Sequence, residues 1–245
     1  GRTLVTCNES GLTVKQRENG IVQPNPSNYG TGRQDPQIRV QPDGTRVIAW
    51  REPAVPALKV QVGAGTPVQV NPMGESAGFY RMDTGADGTI AIAWRRSDFS
   101  IAAAVRSPVT GTWGPAHTIS DTGTKQFDVA VSDTGVGYVV WNRDAGSFVQ
   151  LEAAILDPQD PGRAPGTPYQ FQPVPEILVS PGDTQIAGSV GDVGWPRVAV
   201  NAAGTAQVLF PFVAGTNPQV TFAIGSIVSP IDRSTPPPQG PPAAG

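Results

Sequence analysis

The chain has 245 residues, of which 29 are Gly, 26 are Pro and 38% are hydrophobic, so many short strands joined by tight turns are expected rather than disorder. No segment carries apolar residues at helical spacing over several turns, and no apolar run is long enough to cross a bilayer. With 17 basic and 20 acidic residues the net charge is −3, and the lack of a basic cluster argues against nucleic-acid binding.

One seven-residue pattern recurs along the chain: Gly, two variable residues, three mostly apolar residues and a large apolar residue. Its copies are GRTLVTC, GTRVIAW, GTIAIAW, GVGYVVW and GTAQVLF, which begin at Gly1, Gly44, Gly88, Gly135 and Gly204. The apolar runs are continuous rather than alternating, which is typical of a strand that is buried on both faces. We predict that the last residue of each copy is a packing plug between neighbouring sheets. These residues are Cys7, Trp50, Trp94, Trp141 and Phe210.

Short apolar segments surround each copy and are predicted to complete a sheet. First strands are expected at 36–40, 78–82, 127–131 and 196–200. Third strands are expected at 12–16, 57–62, 100–106, 148–156 and 219–225, and fourth strands at 20–23, 67–70, 116–120, 176–180 and 226–229. Four consecutive antiparallel strands in a repeat of about 45 residues are typical of β-propeller blades. The predicted fold class is therefore all-β, with five four-stranded repeats of which the first lacks its inner strand.

The predicted propeller covers residues 1–232, with repeats that start near 1, 36, 78, 127 and 196. Residues 233–245 are rich in Pro and are predicted to be a tail or linker. The missing inner strand is expected from residues upstream of Gly1, from another chain or from the C-terminal segment. A longer parent protein, or a closed ring with an atypical first blade, is favoured over a four-bladed ring with a remnant.

The candidate site is a set of polar loop residues. In a propeller the loops between second and third strands open on the same face as the loops between blades. The candidate ligand-binding residues on that face are Arg51, Arg95, Arg96, Asp98, Asn142, Arg143, Asp144 and Trp195. The alternative interpretation is a solvated rim of local ion pairs, each of which contributes little.

Metal and cofactor sites are not expected. The single His and the single Cys cannot supply a zinc site, and the sequence has no Asp-rich calcium loop or phosphate-binding Gly loop. His117 is interpreted as a surface or edge residue, and Cys7 as a buried hydrophobic residue, with an intermolecular disulfide as the alternative.

The segment SPVTGTWG, at 107–114, lies between a predicted third and a predicted fourth strand. It resembles the Asp-box of sialidase-type propellers, Ser-x-Asp-x-Gly-x-Thr-Trp, through Ser107, Gly111, Thr112 and Trp113, although the Asp is absent. The segment at 127–144 is similar to repeats of secreted bacterial sialidase-like propellers. Sialidases of that family use three arginines, a Tyr–Glu pair and an acidic general acid. Because the Arg-Ile-Pro motif and a credible Tyr–Glu pair are missing here, the resemblance assigns no catalytic residue.

The predicted function is a non-catalytic extracellular or cell-surface module that binds a glycan or a protein partner on its loop-rich face. One alternative is a structural subunit of a cell-surface fibre or virion appendage, which would contact copies of itself. The other alternative is a divergent sialidase-like glycosidase. Nucleic acid and membrane insertion are not expected.

Overall fold

The computed structural model describes residues 2–7, 13–18, 21–22, 27–28, 32–144, 148–157, 171–173, 186–187, 195–213 and 220–227. Side chains are described for residues 32–143, 151–157, 171 and 195–209. The predicted tail at 233–245 and the predicted strand at 176–180 lie outside the described residues. The same holds for the side chains of Cys7, Asp144 and Phe210.

The described strands form five antiparallel sheets that follow one another along the chain. The first sheet contains β1 (Arg2–Cys7), β2 (Thr13–Glu18) and β3 (Ile21–Val22), with β4 (Ser27–Asn28) also paired to β2. The second contains β5 (Gln34–Val40), β6 (Arg46–Glu52), β7 (Ala57–Val62) and β8 (Val68–Gln69). The third contains β9 (Tyr80–Thr84), β10 (Ile90–Arg95), β11 (Ile101–Arg106) and β12 (His117–Thr118).

The fourth sheet contains β13 (Thr124–Val131), β14 (Gly137–Asp144), β15 (Phe148–Leu156) and β16 (Gln172–Pro173), with β17 (Ile186–Ala187) also paired to β15. The fifth contains β18 (Arg197–Val200), β19 (Ala206–Val213) and β20 (Val220–Ile227). The described residues form no helix, so none of them belongs to a helix that could span a membrane. The all-β prediction is confirmed, and the predicted third strands at 57–62 and 148–156 coincide with β7 and β15.

The predicted fourth strand at 226–229 is wrong in its first half. Ser226 and Ile227 are the end of β20, where they pair with Gln207 and Ala206. The reason is that β19 runs over eight residues, and its partner must be equally long to satisfy the same row of backbone groups.

Consecutive sheets pack face to face through alternate residues of their strands. On β10, Ile92 and Trp94 contact the second sheet, whereas Ala91 and Ala93 contact the fourth. The fourth sheet repeats the arrangement, since its Trp141 lies against the third sheet and other apolar side chains lie against the fifth. Both faces of the third and fourth sheets are therefore buried, which explains why their second strands are continuously apolar.

Side chains on the first strands bind the backbone of the next sheet. Gln37 Oε1 accepts a hydrogen bond from the Met82 N–H at 3.2 Å, Asp83 Oδ2 accepts one from Val131 at 2.9 Å, and Asp128 Oδ2 accepts one from Val198 at 3.2 Å. Each first strand is the edge of its sheet and presents N–H groups that no strand pairs. These polar side chains satisfy part of that edge and set the spacing between neighbouring sheets.

The turns between first and second strands share one set of hydrogen bonds. In the second sheet the Gly44 N–H donates to Gln41 O at 2.9 Å and the Gln41 N–H donates to Thr45 O at 2.9 Å. The same pair of bonds recurs at Gly88, Gly135 and Gly204, and all four glycines have φ between 80° and 95°. A left-handed backbone is required at this position, which is why Gly opens these four copies of the sequence pattern.

Candidate functional site

Three tryptophans at the ends of second strands are completely enclosed by protein. Trp50 and Trp94 are 0% exposed and Trp141 is 2% exposed. Each indole N–H donates to a glutamate: Trp50 to Glu52 at 2.9 Å, Trp94 to Glu75 at 2.8 Å and Trp141 to Glu152 at 2.7 Å. We call these three pairs the indole anchors.

Each anchor glutamate also binds an arginine. Arg33 Nε lies 3.5 Å from Glu52 Oε1, Arg96 Nη2 lies 3.0 Å from Glu75 Oε2, and Arg143 Nε donates to Glu152 Oε1 at 2.8 Å. The hydrogen bond to Glu152 raises the pKa of Arg143. Because the indole and the guanidinium both bind the same carboxylate, the polar atoms at these tips are largely satisfied within the protein.

The predicted ligand-binding residues lie at the same end of the sheets as the anchors, and most of them serve local structure. Arg51 forms an ion pair with Asp35, and Arg95 Nη1 donates to Lys125 O at 2.8 Å. Asn142 Oδ1 accepts from the Gln126 N–H at 2.8 Å.

Asp98 also has a structural role, as the residue that shapes the turn between β10 and β11. Its Oδ1 accepts from the Ser100 N–H at 2.9 Å and from the Ser100 hydroxyl at 2.7 Å, and these two bonds hold the pKa of Asp98 below its usual value. The geometry at these residues matches the ion-paired rim more closely than an open ligand site.

Trp195 differs from the other predicted site residues. It precedes β18 and contacts Phe79 edge to face, with 4.4 Å between the ring centroids and 86° between the ring planes. The Arg81 guanidinium packs beside both rings, 4.2 Å from the Phe79 centroid and 4.6 Å from the Trp195 centroid. Asp128 and Arg197 complete the group, which we call the Trp195 cluster: Phe79, Arg81, Asp128, Trp195 and Arg197.

The first strands of three sheets bring the cluster together. Arg81 belongs to β9, Asp128 to β13 and Arg197 to β18, while Phe79 directly precedes β9 and Trp195 lies two residues before β18. The Arg95 N–H donates to Phe79 O at 2.9 Å, so the cluster lies at the same end of the sheets as the indole anchors. Phe79 is further supported by an edge-to-face contact of 5.2 Å with Phe127, which is fully buried.

The charges of the cluster are close together but incompletely paired. Asp128 Oδ1 is 3.8 Å from Arg81 Nε and 3.9 Å from Arg197 Nη1, and both distances are too long for hydrogen bonds. Among the described residues Arg81 Nε has no hydrogen-bond partner, which is also true of the Nε atoms of Arg51 and Arg96. The cluster has two cations and one anion, and the Arg197 side chain is 56% exposed.

Burial and the neighbouring arginines act on the ionisation of this group. Burial lowers the pKa of Arg81, Asp128 opposes this change, and the nearby Arg197 and Arg39 lower the pKa further. Burial also raises the pKa of Asp128, although the Val198 N–H and both arginines act in the opposite direction. The arginines therefore repel each other across a carboxylate that only partly compensates them, and a bound anion would relieve this repulsion.

The sequence pattern did not predict the other four members of the cluster, because they lie on or beside first strands and the predicted site consists of loop residues. The available signal was a charged residue within each predicted inner strand: Arg81 in GFYRM, Asp128 in FDVAV and Arg197 in PRVAV. A charge inside an apolar strand of a buried sheet marks the edge that is not packed against a neighbour.

The remaining sequence candidates have structural roles. The segment that resembles an Asp-box forms the turn between β11 and β12, in which the Gly111 N–H donates to Ser107 O at 3.0 Å. His117 Nε2 donates to Phe171 O at 2.9 Å and so links β12 to the start of β16. Among the described residues, no group of three His, Cys, Asp or Glu side chains is placed to hold a metal ion.

No protein-family model and no curated protein sequence matches the chain. Solved structures do resemble it. A protein of unknown function from Dyadobacter fermentans is 13% identical, with a TM-score of 0.52 over 88% of this chain and 63% of that chain. An ulvan lyase from a new polysaccharide lyase family, bound to an oligosaccharide of glucuronate and sulfated rhamnose, is 11% identical, with a TM-score of 0.52 over 90% of this chain and 60% of the lyase.

An endo-arabinase from Bacteroides thetaiotaomicron is 14% identical, with a TM-score of 0.42 over 93% of this chain and 89% of that chain. This chain spans 63% of the length of the Dyadobacter fermentans protein and 60% of the length of the ulvan lyase. At these identities the likeness is one of fold.

Proposed function

We propose that the chain is a β-propeller that binds an acidic glycan at the Trp195 cluster, outside the cell. The propeller is supported by the order of the sheets, since each packs on the next along the chain and their first strands contact one another. Sheets stacked in this way converge at their first strands, as the blades of a propeller do. On this arrangement the cluster lies beside the central axis.

The observation that carries the proposal is the position of Arg81 against two aromatic rings that also contact each other. The guanidinium carbon lies 4.2 Å and 4.6 Å from the two ring centroids, so cation–π contacts with both rings hold the guanidinium in place. A guanidinium held in this way is preorganised to bind a carboxylate or sulfate through two parallel N–H groups. Arg197 supplies a second, largely exposed cation beside it.

The half-buried rings favour a sugar as the carrier of the anion. Phe79 and Trp195 are both partly exposed, so they provide apolar surface next to the charges. A pyranose ring has an apolar face that packs on an aromatic ring and polar edges that accept hydrogen bonds from arginine. A simple inorganic anion would use the arginines but not the rings.

Binding to immobilised acidic and neutral polysaccharides tests this function. The wild type is expected to bind acidic polymers, and binding is expected to weaken as the salt concentration rises. Trp195→Ala and Arg197→Ala are each expected to lower affinity at least about tenfold. The matched control is Arg46→Ala, which removes an arginine at the other end of β6. Equal binding by all four proteins, or binding to neutral polymers alone, would refute the proposal.

A glycosidase is the second candidate, because the pKa of Asp128 is raised by burial within the same cluster. A carboxyl group whose pKa is raised is better suited to general acid catalysis than an ordinary one, but glycoside hydrolysis normally requires two carboxyl groups about 5–10 Å apart. Asp83, the next carboxylate on these strands, is paired with Arg39 at 3.0 Å and with the Val131 N–H. Release of reducing sugar by the wild type, and its loss in Asp128→Asn, would favour the enzyme.

A further inference from the structure

The turn between β10 and β11 repeats the hydrogen bonds of the four glycine turns, with one difference. The Phe99 N–H donates to Arg96 O at 3.1 Å, and the Arg96 N–H donates to Ser100 O at 2.9 Å. Asp98 binds the N–H and hydroxyl of Ser100 as Asp43 binds those of Thr45. The sequence of such a turn is Asp-Gly-Thr at 43–45 and at 87–89, and Asp-Phe-Ser at 98–100. In this turn Phe stands where the other turns have Gly.

This substitution is unfavourable for folding. Phe99 has φ of 64°, in the left-handed region where a bulky side chain is strained and Gly is not. Burial of the ring does not compensate, since Phe99 is 53% exposed. Strain that is retained without a packing gain is a reason to look for a binding role.

The backbone that carries the ring is held by hydrogen bonds on both sides. The Phe99 N–H donates to Arg96, and Phe99 O accepts from the Thr124 N–H at 3.0 Å, so the residue is tied to its own turn and to the start of the fourth sheet. The Arg95 guanidinium lies 5.2 Å from the ring centroid. Because the backbone at this ring is already held, ligand binding by the ring costs little backbone conformational entropy.

Arg95 connects this ring to the Trp195 cluster. Its side chain contacts Phe99, and its backbone N–H donates to Phe79 O at 2.9 Å. Phe79, Arg95 and Phe99 therefore form a continuous band from the first strand of the third sheet to the tip of its second strand. A single exposed ring among charged neighbours offers too little apolar area for a protein interface but matches the apolar face of one sugar.

Building on the proposed function, we propose that Phe99 is an outer binding position for the same glycan. The ligand is then a chain of several sugars, with an acidic unit at the Trp195 cluster and a further sugar stacked on Phe99. A ligand confined to one sugar would contact the cluster and leave Phe99 unused.

The test compares short and long probes on Phe99→Gly. This variant removes the ring and restores the residue that the other four turns carry, so its thermal midpoint is expected to stay the same or rise. The probes are disaccharides and octasaccharides of galacturonate and of heparin, titrated calorimetrically into the full chain. Phe99→Gly is expected to bind the octasaccharide roughly tenfold more weakly and the disaccharide unchanged. Val109→Ala, which truncates a 91% exposed residue in the turn between β11 and β12, is the control and is expected to bind both probes normally.

The outcomes separate the two proposals. If wild type binds the octasaccharide and Phe99→Gly binds it equally well, the outer position is refuted and the proposed function stands. If both lengths lose affinity equally in Phe99→Gly, Phe99 belongs to the primary site and the extended ligand is refuted. If wild type binds none of the probes, both proposals fail.

Discussion

The indole anchors and the Trp195 cluster are built from the same residue types and differ in how far those residues satisfy one another. In the third sheet the Trp94 indole is fully buried, and Glu75 binds both it and Arg96 at 2.8 Å and 3.0 Å. In the Trp195 cluster the indole is half-buried, and the carboxylate stays 3.8 Å and 3.9 Å from the two arginines. A Trp, an acid and an arginine at one end of a sheet can therefore be a closed structural unit or an open site. The distance between the carboxylate and its arginines distinguishes the two.

The comparison implies that the two tryptophans contribute very differently to stability. Trp94→Ala is expected to lower the free energy of unfolding by about 3–5 kcal/mol, because it leaves a cavity between the second and third sheets and removes the donor to Glu75. Trp195→Ala is expected to cost about 1–2 kcal/mol, because part of its ring is already exposed. Guanidinium denaturation of both variants measures the difference. Similar losses would mean that Trp195 is also an anchor.

Substitution of the acidic and basic partners of the indoles is expected to lower stability in the same order, more at the anchor than at the Trp195 cluster, but by smaller amounts. Glu75→Ala leaves the buried Trp94 N–H without an acceptor and is expected to destabilise the fold by about 1–3 kcal/mol. Arg197→Ala removes a largely exposed cation and is expected to change stability by less than about 1 kcal/mol, although it is expected to weaken the proposed glycan binding at least about tenfold. Glu75→Gln keeps an acceptor for the indole and serves as the control. A larger loss in Arg197→Ala than in Glu75→Ala would contradict the distinction.

The smallest expected effect is the pH dependence of Asp128. Burial raises its pKa in the folded chain, so the carboxyl favours folding while it is protonated, and this contribution is lost as the pH rises through the folded pKa. Asp128→Asn cannot ionise and is therefore expected to gain stability relative to wild type as the pH is raised from about 3 to about 6. Urea denaturation across this pH range measures the gap, which is the difference in the free energy of unfolding between Asp128→Asn and wild type. A gap that shrinks with rising pH would show that Arg81 and Arg197 already compensate the charge.

The strands and their order could be predicted from the sequence because the same local sequence features recur in each sheet. The Gly at the left-handed position and the apolar run up to Trp94 or Trp141 are local features, and they recur at similar spacing. The fourth strands were less predictable. On its outer side, β15 pairs with two short segments at 172–173 and 186–187, and such short segments leave little pattern in the sequence.

The candidate site was predicted only in part, because the role of a charged side chain depends on its neighbours in space. Five arginines lie near a Trp and look alike in the sequence. Three of them, Arg51, Arg96 and Arg143, bind carboxylates of their own sheets or of adjoining loops. The other two are Arg81 and Arg197. Of the predicted site residues with described side chains, Trp195 is the one that belongs to the open cluster.

The amino-acid sequence specifies the five-fold repetition of short antiparallel sheets, since turn chemistry and hydrophobic period act over a few residues and can be read along the chain. The packing of successive sheets determines what the polar residues do. Phe79, Asp128 and Trp195 are far apart in sequence, and they meet because the first strands of three sheets lie side by side. Whether an arginine is satisfied or open to a ligand is set by distances of a few tenths of an ångström between such strands, and local sequence does not encode those distances.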